Sequence, residues 1–254
     1  MTTLALSQRV SLYLNEARYE FLNVWRTPAF SLPSLAFPVI FYIFFGLVFN
    51  MGGRSDNQAM YLMGTYGTFG IMGPALFGFG AGLATDRDQG WLLLKQASPM
   101  PIAAYFFAKV MMSMLFALII LVTMFALAAF AGGVVLAWHQ WLLLVAMLVV
   151  GTLPFCAIGL CIGCWAKAGP AVAIVNLVYL PMALLSGLWI PIMVFPESLQ
   201  LTALIYPSYH LSQLALGVLD MDQGGQPWLH LLVLMVQTAL FLVIAASGFR
   251  RLKK

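Results

Sequence analysis

The segment best suited to act on something outside itself is Thr85-Asp86-Arg87-Asp88-Gln89-Gly90-Trp91-Leu92-Leu93-Leu94-Lys95-Gln96-Ala97-Ser98-Pro99-Met100-Pro101. Its charged start, short helix-forming run and Ser-Pro-x-Pro stop predict a small rigid helix between two longer elements. Such a helix can fit a partner's groove and pass on movement. Other reactive side chains are less well placed. His139, His210 and His230, with Glu197, Asp220 and Asp222, could be drawn as an acid–base or metal site, yet no pair among them has the spacing of a zinc motif. Cys161 and Cys164 stand three apart in an apolar run, where thiols serve as small packing groups. No metal site is expected. There is no Gly-x-x-x-x-Gly-Lys-Ser/Thr loop to cradle ATP phosphates, and no cofactor is expected in this chain.

The elements that position these residues must lie in a bilayer. Of 254 residues, 63% are apolar and 8% charged, whereas a soluble domain carries about 25% charged residues. A water-facing exterior cannot be assembled from so few charges. Runs free of charge, divided where Gly132-Gly133 and Trp138-His139-Gln140-Trp141 supply a turn, predict six spans at about 30–50, 60–84, 105–131, 140–165, 170–194 and 228–249. The fold class is an all-α membrane protein. The basic residues are scattered or sit at helix ends instead of forming a patch, which argues against nucleic acid as a partner.

Residues 8–26 form a different segment, with Val10, Tyr13, Leu14, Ala17, Phe21, Val24 and Trp25 at helical spacing and charged or polar residues filling much of the rest. This predicts an amphipathic helix lying along the interface. Thr27-Pro28 breaks it before the first span. Two parts follow: an interfacial helix over 1–28 and a six-span membrane domain over 29–254. With the N-terminus cytoplasmic, Arg9, Arg18, Arg26, Arg87, Lys95, Lys109, Lys167, Arg250, Arg251, Lys253 and Lys254 all fall inside and only Arg54 outside. Both termini are then cytoplasmic. The stretch 195–227 becomes a long outer segment, partly helical and dipping between the spans.

Few polar groups occupy the spans. No Asp, Glu, Lys or Arg sits mid-span, which leaves little for a proton relay to work with. The second span carries Gly64, Gly67, Gly70 and Gly73 at a spacing of three, followed by Pro74. Small residues let helices approach closely in lipid, and they also ease bending.

The inner loop resembles that of the permease subunits of type-2 ABC exporters, where an acidic-Arg-acidic-x-Gly run precedes a short coupling helix and a Ser/Thr-Pro before a Lys. Asp86-Arg87-Asp88-Gln89-Gly90, Ser98-Pro99 and Lys109 match that order. The family's outer signature is matched by Ser186-Gly187-Leu188-Trp189-Ile190-Pro191, then Pro196-Glu197, then Tyr206-Pro207-Ser208-Tyr209-His210. The chain departs from the commoner pattern with Asp at 86 and 88 and with Trp91. The resemblance covers nearly the whole chain. It implies a coupling helix within the loop 85–101, with Asp86, Arg87, Asp88, Gly90, Trp91, Leu94, Ser98 and Pro99 coupling to an ATPase. It also implies a pathway between protomers near Gly64, Tyr66, Gly67, Gly70, Asn176 and Tyr179, and an outer signature at Ser186, Gly187, Pro191, Pro207 and His210. The implied partners are a separate nucleotide-binding ATPase holding ATP and Mg, a second permease protomer, most simply a homodimer, and membrane lipid. The implied location is the bacterial cytoplasmic (inner) membrane.

The expected function is therefore that of an exporter permease moving an apolar or amphipathic compound, such as a drug, lipid or lipid-linked molecule. A polysaccharide-exporting permease is the nearest alternative. An intramembrane enzyme using His139, His210 or Glu197, or an ATP-independent channel, stands further off.

Overall fold

Peptide groups in hydrocarbon must be paired within their own segment, and the apolar runs do so as helices. The computed structural model describes residues 6–49, 56–98 and 100–251. Arg54, Pro99, Lys253 and Lys254 lie outside the described residues. Among these residues every regular element is helical, and six helical stretches are long and apolar enough to cross a membrane.

The first element, α1 (Leu6–Trp25), lies against the third span. Ala17 is buried there, Tyr13 meets Phe107 edge-on and Phe21 packs on Phe116. Val10 and Leu14, expected on the same apolar face, are exposed instead. After Thr27, α2 (Pro28–Phe41) runs into a π-helical stretch, Tyr42–Val48, and together they form the first span. Its ring contacts and Pro38 face the second span.

The second span, α3 (Asp56–Asp88), is the axis of the molecule, with 83% of its membrane window buried. It is surrounded by the first span, by α5 (Ile102–Phe130), by the two halves of the fourth span, α6 (Trp138–Val150) and α7 (Leu153–Trp165), and by α8 (Ala168–Leu185). The fourth span bends between its halves at Gly151-Thr152, where Pro154 removes a backbone donor. The last span, α11 (Pro227–Arg251), packs on α7 and shows most of its surface to the outside, with only 11% of its window buried.

Two boundaries differ from the sequence reading. The second span does not end at 84 but continues to Asp88, so Asp86, Arg87 and Asp88 belong to its last helical turn. The fifth span stops at Leu185 instead of 194, because Gly187 adopts φ +75° and turns the chain, bringing Ile192 against it. Beyond the turn come a short 3₁₀ stretch (Ile192–Val194), α9 (Glu197–Ala203) and α10 (Pro207–Val218). Residues 207–216 are all buried, α10 being packed against α3, α6 and α11. Within the stretch 195–227, α10 is thus a buried helix packed among the spans.

The bundle has two unlike ends. One carries α1, the ends of α3, α7 and α11, and a short helix α4 (Trp91–Ala97). Arg87, Lys95, Lys109, Lys167 and Arg250 gather there and make it the basic end.

Candidate functional site at the basic end

The site is built where α3 leaves the bundle. Gly90, at φ +78°, has the left-handed conformation that reverses the chain after Asp88. The Leu94 amide bonds back to the Gly90 carbonyl and starts α4. At the other end the Ser98 hydroxyl donates to the Lys95 carbonyl at 2.7 Å and accepts from the Met100 amide at 3.3 Å. One side of α4 is anchored, since Leu92 is buried with Leu83, Tyr105 and Cys164. Its other side shows Trp91, Leu93 and Leu94, exposed by 53%, 66% and 63%. Three large apolar side chains projecting together from the charged end of the molecule mark a contact surface. Asp88 is exposed beside them.

The base of this loop is fixed by charges. Arg87 points back into the bundle: its Nη1 donates to the carbonyls of Gly163 at 3.1 Å and Cys164 at 2.9 Å, and its Nη2 to that of Ala166 at 2.5 Å. These are the carbonyls left unpaired where α7 ends. Arg87 therefore ties the end of the second span to the end of the fourth. Asp86 accepts from the Tyr105 hydroxyl at 2.5 Å and pairs with Lys109 at 3.0 Å. Lys109, buried on α5, also pairs with Glu20 of α1 at 2.7 Å. One turn earlier on α1, Glu16 pairs with Lys95 of α4. Four elements, α1, α3, α4 and α5, are thereby joined by alternating charges, and α7 is held through Arg87.

Sequence reasoning placed Asp86, Arg87, Asp88, Gly90, Trp91, Leu94, Ser98 and Lys109 in this region, with Leu93 and Lys95 in the same loop but given no role of their own, and missed Glu16, Glu20 and Tyr105 as parts of it. A usable signal was present. Glu16 and Glu20 are four apart, hence on one helix face, and they are the acidic residues of a segment otherwise charged by arginines. Acidic side chains on a face turned to membrane and bundle call for basic partners.

The opposite end holds the outer signature. The Ser186 and Ser208 hydroxyls are 2.5 Å apart, joining the end of α8 to α10, and Pro207 begins α10. Pro191 leads into the 3₁₀ stretch. His210 is buried, its Nε2 lies 2.9 Å from the Leu204 carbonyl and its Nδ1 lies 2.8 Å from Nδ1 of His230 on α11. A carbonyl only accepts, so neutral His210 carries its proton on Nε2, and His230 donates through its Nδ1–H. Gln237 of α11 adds a bond from its Nε2 to the Ile205 carbonyl at 2.8 Å. His139, by contrast, is exposed at the start of α6.

Burial pushes the His210 pKa down, with the Leu204 carbonyl opposing. The fold then favours the neutral ring. That contribution to stability is complete above the unfolded value of about 6.5 and is lost as pH falls through the lower folded value. The thermal midpoint of the detergent-solubilised chain is expected to drop between about pH 7 and pH 5, and His210→Gln to flatten that part of the profile. An unchanged slope in the variant would exclude His210 as the source.

The model of a family described as ABC-2 type transporter matches residues 15–219, from the middle of α1 to the end of α10. The chain belongs to the ABC-2 type transporter family. It is also 30% identical over 229 residues to a Bacillus subtilis (strain 168) protein named "Putative transport permease YvfS", covering 89% of this chain and 92% of that one. The chain is thus a transport permease of an ABC transporter, a multi-pass membrane protein by its six apolar helices.

In this permease the glycines singled out on the second span face other helices of the same chain. A spacing of three drifts around a helix of 3.6 residues per turn. Accordingly Gly64 faces Leu216 of α10 and Leu219 just beyond it, Gly67 faces Leu121 and Leu148, and Gly70 faces Ile120 and Pro38. Tyr66 and Tyr179 are buried on the side of the first and fifth spans, and Asn176 is half-buried one turn from Tyr179. The closest approach involves α3 and α7, where a Cβ on Gly163 would stand 2.5 Å from the Phe79 carbonyl oxygen and 2.9 Å from the Leu83 Cβ. Gly163→Leu must push these helices apart, with an expected loss of about 1–3 kcal/mol. Gly169→Leu, with nothing within 4 Å of its Cβ position, serves as the control. Equal thermal midpoints for the two variants would contradict the packing described.

Proposed function

We propose that this permease is the membrane-spanning subunit of an ATP-driven exporter, working in a bacterial inner membrane with a separate nucleotide-binding ATPase and a second permease protomer. The basic end is the cytoplasmic side on this reading, and ATP and Mg belong to the partner. The cargo is an apolar or amphipathic compound.

The observation that carries the proposal is the pairing of a free apolar face with an anchored base on α4. Trp91, Leu93 and Leu94 offer an ATPase a hydrophobic contact outside the membrane, while Lys95, Arg87 and Asp86 connect that contact to α1, α7 and α5. A displacement of α4 is resisted by all of these links together. The interfacial helix and the ends of the second, third and fourth spans must then follow it as a block. Six spans without a mid-span carboxylate offer no ion-coupling residue as an alternative source of energy.

The test is purification of the tagged chain from its native membrane in mild detergent, with identification and stoichiometry of what accompanies it. An ATPase at one copy per permease, with nucleotide-dependent accumulation of an amphipathic compound in inverted vesicles, is the expected result. A chain that comes out intact without any ATPase would overturn the reading.

A further inference from the structure

At the end opposite the basic one, the rings of His210 and His230 lie 5.1 Å apart, with their Nδ1 atoms in contact at 2.8 Å. One stands in the first turn of the inserted helix α10 and the other in the first turn of the last span. Their protons are fixed by their neighbours. His210 Nε2 faces the Leu204 carbonyl at 2.9 Å, and a carbonyl only accepts. In the neutral ring, Nδ1 of His210 is therefore a bare lone pair, and the proton in the contact comes from His230. The other lone pair of the two rings is on His230 Nε2, beside the segment that follows α10, where a Cβ on Gly225 would stand 3.3 Å away. Charged and titratable neighbours are few among the described residues. Asp222, in that segment, acts electrostatically on His230 and on Tyr209, and Tyr209 acts on Tyr61 of α3. The Tyr209 ring stands 5.4 Å from that of His210 and 6.1 Å from that of His230. His139 of α6, Glu197 of α9 and Asp220 after α10 are exposed.

We propose that the pair is a two-proton latch: it holds α10 against the last span when it carries no added proton or one, and lets go when it carries two. The first proton takes the free lone pair, His230 Nε2, and leaves both hydrogen bonds in place, since an imidazolium still donates through Nδ1. The second can go only to His210 Nδ1. Two N–H groups then point at each other between two like charges, and the contact breaks. Burial of His210, and the charge already on its neighbour, put this second step below the ordinary histidine value of about 6.5. The other side-chain ties around α10 do not titrate near neutral pH. Ser208 bonds to Ser186 at the end of α8 at 2.5 Å, Gln140 of α6 donates to the Val218 carbonyl at 3.1 Å, and Gln237 of α11 donates to the Ile205 carbonyl, just before α10, at 2.8 Å. Release of the pair therefore loosens the start of α10 from α11 while these ties keep the helix in the bundle. On the export reading this end faces outward, so an acid external medium works the latch on the side where cargo leaves.

The latch rests on that reading only for the side that meets acid, and its test needs no ATPase, so the two fail separately. The chain holds three histidines, and labelling them with nitrogen-15 in the detergent-solubilised protein gives a spectrum of three rings. His139→Gln, at an exposed site, leaves the signals of the pair alone. Expected at about pH 7.5 is a nitrogen–nitrogen coupling across the contact from His230 Nδ1–H to His210 Nδ1, with the His210 proton on Nε2. On acidification the coupling should survive the uptake of one proton at His230 Nε2 and vanish with the second uptake, below about pH 6.5. Amide exchange of residues 207–218, corrected for its intrinsic pH dependence, should quicken about tenfold across the second step and not across the first. His230→Phe keeps a ring in place and should show the faster exchange already at about pH 7.5, with one titration step in place of two. A coupling absent at neutral pH, or lost with the first proton, would overturn the two-proton mechanism. Exchange of 207–218 unchanged across the second step would show that the pair does not hold α10, and this too overturns the inference.

Discussion

Lys109→Met is expected to be the most damaging single substitution at the basic end, lowering stability by about 3 kcal/mol. Lys109 is 2% exposed and stands between Glu20 at 2.7 Å and Asp86 at 3.0 Å. Methionine keeps the packing volume but leaves two carboxylates facing each other over a buried site, with the Tyr105 hydroxyl as the remaining donor to Asp86. Removing one member of a buried charge cluster costs more than the cluster itself contributes, because the remaining charge is stranded. Adding Glu20→Gln should therefore restore part of the loss. Thermal unfolding in detergent measures both variants, and hydrogen exchange of residues 6–25 should show α1 loosened in the single variant. A single variant as stable as the parent, or a double variant worse than the single, would contradict the geometry.

Arg87→Ala is expected to lower stability by about 2–3 kcal/mol and to reduce transport per ATP hydrolysed by about tenfold. The guanidinium satisfies three carbonyls at the end of α7 and holds the second and fourth spans together at the site where α4 leaves. Alanine leaves those carbonyls to water or unpaired. Lysine restores the charge but lacks the planar fork, so Arg87→Lys should recover stability in part and coupling less. Asp88→Ala provides the contrast: Asp88 is exposed, and its loss should leave the thermal midpoint within about 0.5 kcal/mol of the parent. Equal effects at 87 and 88 would show that the loop acts as one charged surface and that the inward turn of Arg87 has no special weight.

Much of this architecture was legible because lipid imposes simple rules. Charge-free runs of sufficient length gave the six spans, and Thr27-Pro28 and Gly132-Gly133 marked their breaks. What the sequence concealed depends on tertiary neighbours. Arg87 reads as an exposed loop charge until the end of α7 is placed beside it, and Glu16 and Glu20 read as ordinary members of a helix wheel until Lys95 and Lys109 face them. The glycines of the second span read as places of close helix approach without naming the neighbour, and a central helix contacted from every side gives each glycine a different one. The end of the fifth span was overrun because Leu188, Trp189 and Ile190 are as apolar as the helix before them. There the left-handed turn at Gly187 overrides hydropathy.

The central claim, that the free face of α4 receives the ATPase, is most directly tested by photo-crosslinking in the native membrane. A photoreactive amino acid is placed singly at Trp91, Leu93 or Leu94, and at Phe130 or Val135, which are still more exposed, by 92% and 91%, at the opposite end of the bundle. An adduct with a nucleotide-binding subunit is expected from each of the first three positions, altered in yield by a non-hydrolysable ATP analogue, and none from the other two. A folded, membrane-inserted chain that yields no such adduct from 91, 93 or 94 would contradict it.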